Sequence, residues 1–242
     1  MTNERPDDGP DPVFAYRDGR SGPHVRVEVG FTDRRLDLGD HAPDDVRAAG
    51  LRAIADATGA TPLTMHQVHG AAVQVVEEWE AATWDPHADA LATARTGVAL
   101  LTRAADCVPV LLADPHAGVV AAVHAGRPGV AAGVVTAACR AVRALGAGEL
   151  VAWVGPHVCG SCYEVPDQMR EEVAALVPET RSVTSWGTPA LDLGAGVAAQ
   201  LAAEGCGIVT VGRCTREDHD LHSYRRDGVA AGRLAGVVWM SA

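Results

Sequence analysis

His66 and His69 lie three residues apart in the stretch TMHQVHGAA, among small and apolar neighbours. Such a pair can hold a metal, exchange a proton, or place one imidazole in a core and the other in solvent. On a strand, positions three apart point to opposite faces, so the two are poor co-ligands and one of them needs partners elsewhere. Cys107, beside Asp106, opens the apolar run VPVLLAD, and His124 closes the run GVVAAVHA. The turn Asp114-Pro115-His116-Ala117-Gly118 joins the runs, and a strand–turn–strand unit sets the start of one strand beside the end of the next. Cys107 and His124 are therefore expected at one sheet edge. A thiolate and two imidazoles make a three-donor set with an open fourth position, the pattern of a catalytic zinc. Two other readings stay open: Cys107 as a nucleophile with His124 as its base, or a small core cysteine and a hydrogen-bonded strand-end histidine.

The surrounding chain must position these groups. VRVEVGF reads as a strand, PDDVRAAGLRAIADATG as a helix with Pro43 early and Gly59 at its end. LTMHQVH and AAVQVVE read as strands hinged at Gly70, and GVALLT, VPVLLAD and GVVAAVHA as three more. These runs are almost continuously apolar, which predicts a sheet covered on both faces. VAAGVVTAACRAVRALG reads as one long helix, LVAWVG as a strand, DQMREEVAALV and LDLGAGVAAQLAAEG as helices, and GIVTVG as a strand. Residues 1–22, rich in Asp, Pro, Gly and Arg, read as a flexible tail, leaving 23–242 as one mixed, layered α/β domain.

Composition removes several function classes. With 242 residues the chain can bury a substantial core. Its net charge is −11 and no basic run is longer than Arg225-Arg226, so nucleic acid is excluded as a partner, because phosphate backbones require clustered cations. A few local arginines can still bind a small anion. All 20 cationic side chains are Arg, which excludes a lysine Schiff base and the lysine of a P-loop. The opening MTNERPDDGPDP has no apolar core, so no signal peptide is expected. No apolar run approaches the roughly 18 residues of a membrane span. The expected location is cytoplasmic, with Cys107, Cys139, Cys159, Cys162, Cys206 and Cys214 as thiols. Cys159-Gly-Ser-Cys162 has no second CxxC to match it and reads as structural.

Six segments occur in order: QVHG, ADCVPVLLADP, VAAVHAG, VGPHVCGSCYEV, LDL and CTREDHDLHSYRRDG followed by GR. Together they resemble the laccase-domain or polyphenol oxidase family, also called the peptidoglycan editing factor family, whose members act as purine nucleoside phosphorylases. The resemblance runs from about Gly30 to Trp239. It implies an α+β fold, a single-domain layered α/β/β/α sandwich with mixed sheets. It also implies one zinc held by His69, Cys107 and His124, which would make these the catalytic centre. The implied substrates are purine nucleosides (adenosine, inosine, S-methylthioadenosine) with phosphate, and adenosine deamination is an implied second activity. The resemblance assigns no oligomeric state.

Five further positions follow from the motifs. Gln67 belongs to QVHG and is expected at the substrate. Asp37, in RLDLGDH, stands where the family's SLNLG start has Asn. In HAGRPG, Arg127 and Pro128 replace the Trp and Arg of the family's HAGWRG, so Arg127 is expected to bring positive charge to the phosphate. Arg225 and Arg226 are expected to clamp phosphate or purine, since guanidinium forks bind phosphate in bidentate fashion. The H-x-E and P-C-x-x-C deaminase signature is absent, and Asp106 is the acid nearest the centre in sequence. Competing readings are a cysteine hydrolase editing a peptidoglycan precursor and a copper phenol oxidase. A His₂Cys set also suits copper, but none of the ten histidines forms an H-x-H pair.

Overall fold

The runs Val108–Asp114 and Val119–Ala125 are buried along their whole length, and the architecture follows from what covers their two faces. The computed structural model describes residues 11–80 and 84–241. In chain order its strands are β1 (Tyr16–Ser21), β2 (Arg26–Phe31), β3 (Thr61–Leu63), β4 (Val73–Val75), β5 (Ala90–Thr93), β6 (Val98–Ala104), β7 (Val108–Asp114), β8 (Val119–Ala125), β9 (Val151–Val154), β10 (Arg181–Val183), β11 (Pro189–Leu191), β12 (Gly207–Thr210) and β13 (Leu234–Ser241). The helices are α1 (Asp44–Thr58), α2 (Arg127–Ala132), α3 (Val134–Ala144), α4 (Asp167–Leu176), α5 (Leu193–Ala203) and α6 (Tyr224–Asp227). None is long and apolar enough to cross a membrane.

Two mixed sheets form the middle layers. One has the order β1-β2-β13-β6-β3 and the other β12-β9-β7-β8-β5-β4. Alternate residues of β7 divide between two cores: Val108, Val110 and Leu112 pack towards α3 and α5, while Leu111 and Ala113 join Val27, Val29 and Phe31 of β2 between the sheets. On the far side of the first sheet, Ile54 of α1 packs with Leu101, Val237 and Trp239. The layers are thus helix, sheet, sheet, helix, as the family resemblance implied, and the double burial explains the continuous apolar runs.

Three expectations are corrected. Tyr16–Ser21 lies within the span read as a tail, yet it forms β1, paired residue for residue with β2; its polar composition is that of an edge strand. Residues 1–10 of that tail lie outside the described residues. The long helix after His124 is two helices, because Gly133 adopts φ +78 between them, a left-handed conformation that glycine adopts without a Cβ penalty. The strand expected over LTMHQVH ends at Leu63, and the remainder is loop.

Phe31 is fully buried where the sheets meet, and Gly155 leaves room for it: a Cβ there would lie 2.2 Å from the Phe31 ring. Overpacked cores typically lose about 1–3 kcal/mol. Gly155→Ala should therefore lower the urea midpoint by an amount in that range, and a midpoint equal to wild type would contradict this account of the inter-sheet core.

Candidate active site

His69, Cys107 and His124 converge on the wall of a cavity of about 650 Å³, with their donor atoms within 4.8 Å of one another. Cys107 immediately precedes β7, and His124 faces Pro109 across the β7–β8 hairpin. The hairpin thus juxtaposes thiol and imidazole as the sequence suggested. His69 comes from the loop between β3 and β4 and brings Nε2 to 3.9 Å from the Cys107 sulfur. The sharp turn falls on His69 itself, at φ +60, rather than on Gly70. His66 leads elsewhere: its ring stacks on His87 with 4.5 Å between centroids.

Asp89 orders the centre, and the sequence reading passed over it. Its carboxylate is fully buried. It accepts from the His69 N–H at 2.9 Å and the Gly70 N–H at 2.6 Å, and it contacts His124 Nδ1 at 2.9 Å. Because a carboxylate only accepts, Nδ1 keeps its proton and Nε2 is the nitrogen that would ligate, a metal displacing the proton it otherwise carries. The two backbone bonds also hold the left-handed conformation of His69, which would otherwise cost about 1–3 kcal/mol. The available signal was a lone acid in the run HADALAT.

The electrostatics suit a thiolate ligand. Burial raises the Cys107 thiol, but His124 and His69 outweigh it and bring its pKa to about 6. Burial lowers His124, but Asp89 and Cys107 outweigh it and raise its pKa to about 9. The three donor atoms, within 4.8 Å of one another, can share one ion, and Gly126 lets the backbone pass close beside them: a Cβ there would meet the His69 ring at 2.7 Å, the Cys107 sulfur at 3.2 Å and the His124 ring at 3.4 Å. A soft and a borderline donor type in a three-membered set suit zinc or copper.

The other expected residues separate. Arg225 lines the cavity, with its guanidinium 4.5 Å from the centre of the Tyr163 ring. Gln67 also lines it, but its amide is bonded at both ends to the backbone of Arg103, each bond 2.8 Å. Arg226 is turned away: its guanidinium donates to the carbonyls of Thr215, Asp218 and Leu221 and pairs with Asp227. Adjacent residues on the short α6 diverge, so only one of the two reaches the cavity. Asp37 closes a turn by accepting from the N–H groups of Gly39 and Arg233. Arg127, the first residue of α2, is not part of the cavity wall. Asp106 lines the cavity, yet its oxygens already accept from Thr215, Ser223 and the Arg225 N–H. Asp40, Arg103, Arg233 and Tyr224 also line the wall and were not singled out from the sequence. Arg103 had a signal, as the one charge in the otherwise apolar strand VALLTRA.

A layered α/β/β/α domain with a His₂Cys centre at the ends of β7 and β8, the two central strands of its second sheet rather than an edge pair, defines the structural class. The chain belongs to the family described as multi-copper polyphenol oxidoreductase laccase, which matches residues 20–241. Among curated relatives, "Purine nucleoside phosphorylase SCO2081" of Streptomyces coelicolor is 49% identical, covering 94% of this chain and 100% of that protein. "Purine nucleoside phosphorylase ORF3" of Streptomyces griseus is 51% identical over 88% and 94%. The crystal structure of YlmD from Geobacillus stearothermophilus superposes with a TM-score of 0.80 at 27% identity, over 89% of this chain and 92% of that one. That of Neisseria meningitidis protein NMB0706 gives 0.78 at 27%, over 95% and 99%.

Two substitutions test this geometry. Asp89→Asn puts an N–H₂ where the carboxylate meets three donors, so one contact turns repulsive. Outer-shell losses of this kind typically cost about 10–100-fold in metal affinity, and a competition titration of divalent metal against a chelator should find a loss of that size. Arg226→Ala should cost about 2 kcal/mol or more in unfolding free energy, from the charged hydrogen bonds it removes, with metal affinity unchanged.

Proposed function

We propose that the protein is a zinc-dependent purine nucleoside phosphorylase acting on adenosine, inosine and S-methylthioadenosine. The observation that carries this reading is the pairing of a His₂Cys donor set with guanidinium groups in one cavity of nucleoside size. The names of the Streptomyces relatives support it. Cavities of roughly 300–1,000 Å³ accommodate small organic ligands, and this one is about 650 Å³.

The residues divide the work. In phosphorolysis the bond from C1′ of the sugar to the purine nitrogen breaks, a bond from C1′ to a phosphate oxygen forms, and the base leaves with the bonding electrons and takes up a proton. The reaction requires a held anion and an oriented nucleoside. Arg225 donates to the Glu164 carbonyl through Nη1 alone, and the Arg233 side chain donates to the Ala231 and Gly232 carbonyls, again through Nη1 alone. Each keeps donors for phosphate. Arg103 is already paired with Asp40 and shapes the wall. Tyr163 and Tyr224 offer aromatic surface for a purine. His69, Cys107 and His124 would hold the zinc, which when bound supplies a Lewis acid that polarises a substrate group or a water.

A cysteine hydrolase is the competing reading, since Cys107, His124 and Asp89 form a nucleophile–base–acid chain. Such chemistry needs one imidazole. The second, His69, lies against the same thiol in a strained conformation, which favours a ligand shared by the thiol and both imidazoles.

The deciding assay incubates the zinc-loaded protein with each nucleoside, with and without phosphate. Free base and sugar 1-phosphate should form in equal amounts, and only with phosphate. Base release independent of phosphate, or no release, would overturn the reading. Ammonia and inosine from adenosine would report deamination at the same centre. Arg225→Ala should raise the phosphate KM about tenfold or more, the equivalent of one charge-assisted hydrogen bond, with zinc content retained.

A further inference from the structure

We propose a second metal site, structural in character, in which Cys159, Cys162, Cys214 and Glu217 hold a thiophilic divalent cation of the zinc type. Their four ligand atoms lie within 4.8 Å of one another. None of the four lines the cavity, so this cluster is separate from the His₂Cys centre and does not depend on the proposed activity.

The spacing is that of two matched half-sites. Cys159-Gly-Ser-Cys162 and Cys214-Thr-Arg-Glu217 each place two ligand residues three positions apart. Each half-site is a tight turn: the Cys162 and Tyr163 N–H groups donate to the Cys159 carbonyl at 2.9 and 3.0 Å, and the Asp218 N–H to the Cys214 carbonyl at 2.9 Å. The turns come from distant parts of the chain and meet where His157 pairs with Cys214 in a single bridge. The Cys159 N–H donates to the Cys214 sulfur at 3.4 Å, and the Cys162 sulfur lies 3.4 Å from a Glu217 oxygen. All three cysteines are free thiols.

Three thiols and a carboxylate gathered in this way lack a packing rationale, since thiols are weak hydrogen-bond donors and a carboxylate is poorly placed against sulfur. A tetrahedral cation satisfies all four, and zinc takes both thiolate and carboxylate ligands. Binding releases the thiol protons, and Arg216, between Cys214 and Glu217 in sequence, lies near enough to Cys162 to balance part of the negative charge. Four protein ligands leave no open position, which makes the site structural rather than catalytic. The cation would tie the loop carrying Tyr163 to the loop carrying Thr215, and Thr215 holds Asp106 beside Cys107.

The test uses the full chain purified with zinc under reducing conditions. Cys107→Ser should empty the first centre and still retain one zinc per chain, and adding Cys162→Ser should remove it. Cobalt loaded into Cys107→Ser should give strong near-ultraviolet thiolate charge-transfer absorption, which depends on the three remaining cluster thiols. Glu217→Gln, a milder change should Cys162→Ser fail to fold, should release its zinc to a chelator about tenfold more readily than the Cys107→Ser parent. The proposal is overturned if Cys107→Ser binds neither zinc nor cobalt, or if the native protein carries a disulfide within the cluster, seen as a two-unit mass deficit.

Discussion

The buried carboxylate of Asp89 is the interaction on which the centre depends. It stands at the start of β5, immediately before Ala90, and binds His69, Gly70 and His124 together. An ionised carboxylate without partners is costly in a protein interior; here three donors surround it, and they draw its pKa below the usual range despite burial. The same contacts fix which nitrogen of His124 is free and keep the loop before β4 in a conformation that a histidine seldom adopts. Asp106, beside Cys107, repeats the device: it too has a positive φ, and Thr215, Ser223 and the Arg225 N–H secure it. Two of the three donors are thus placed by strained backbone that a buried acid holds in position.

Global and local charge part company in this molecule. The chain is strongly acidic, yet the cavity wall includes Arg103, Arg225 and Arg233 against Asp40 and Asp106. Asp106 is surrounded by donors and Asp40 is paired with Arg103, so neither presents an unbalanced negative charge to an incoming anion. The arginines are likewise unequal. Arg226 knits together the loop from Thr215 to Leu221, while its neighbour Arg225 faces the cavity. Residue type alone marks both as anion binders, and only the short helix that carries them separates the two roles.

What the sequence revealed was the local pattern. The β7–β8 hairpin, buried on both faces, was legible from its apolar runs and its Asp-Pro-His-Ala-Gly turn, and with it the meeting of Cys107 and His124. The elements that escaped notice are those whose form depends on distant partners. Ala90–Thr93 is alanine-rich and becomes a strand because β4 and β8 flank it. Tyr16–Ser21 is polar and becomes one because β2 offers an edge. His69 was grouped with Cys107 and His124 through its motif, and the fold does bring the three together, but it was given a strand conformation, since periodicity cannot register a backbone held by a side chain twenty positions away. For the same reason the roles of Asp37, Gln67 and Arg226 as backbone ties were not visible. Each binds main-chain atoms that the fold alone brings near.

The place of β13 has a consequence for how the molecule is made. It is the last strand in chain order, yet it lies in the middle of its sheet, hydrogen-bonded to β2 on one side and β6 on the other. Until it has left the ribosome, β2 and β6 have no shared neighbour and the inter-sheet core is open on one side. Pairings between such distant segments form slowly, because a long loop must close before any contact rewards it. Until β13 emerges, the nascent chain therefore leaves one edge of β2 and one edge of β6 unpaired, and a chain stalled before Leu234 would be a natural client for a chaperone.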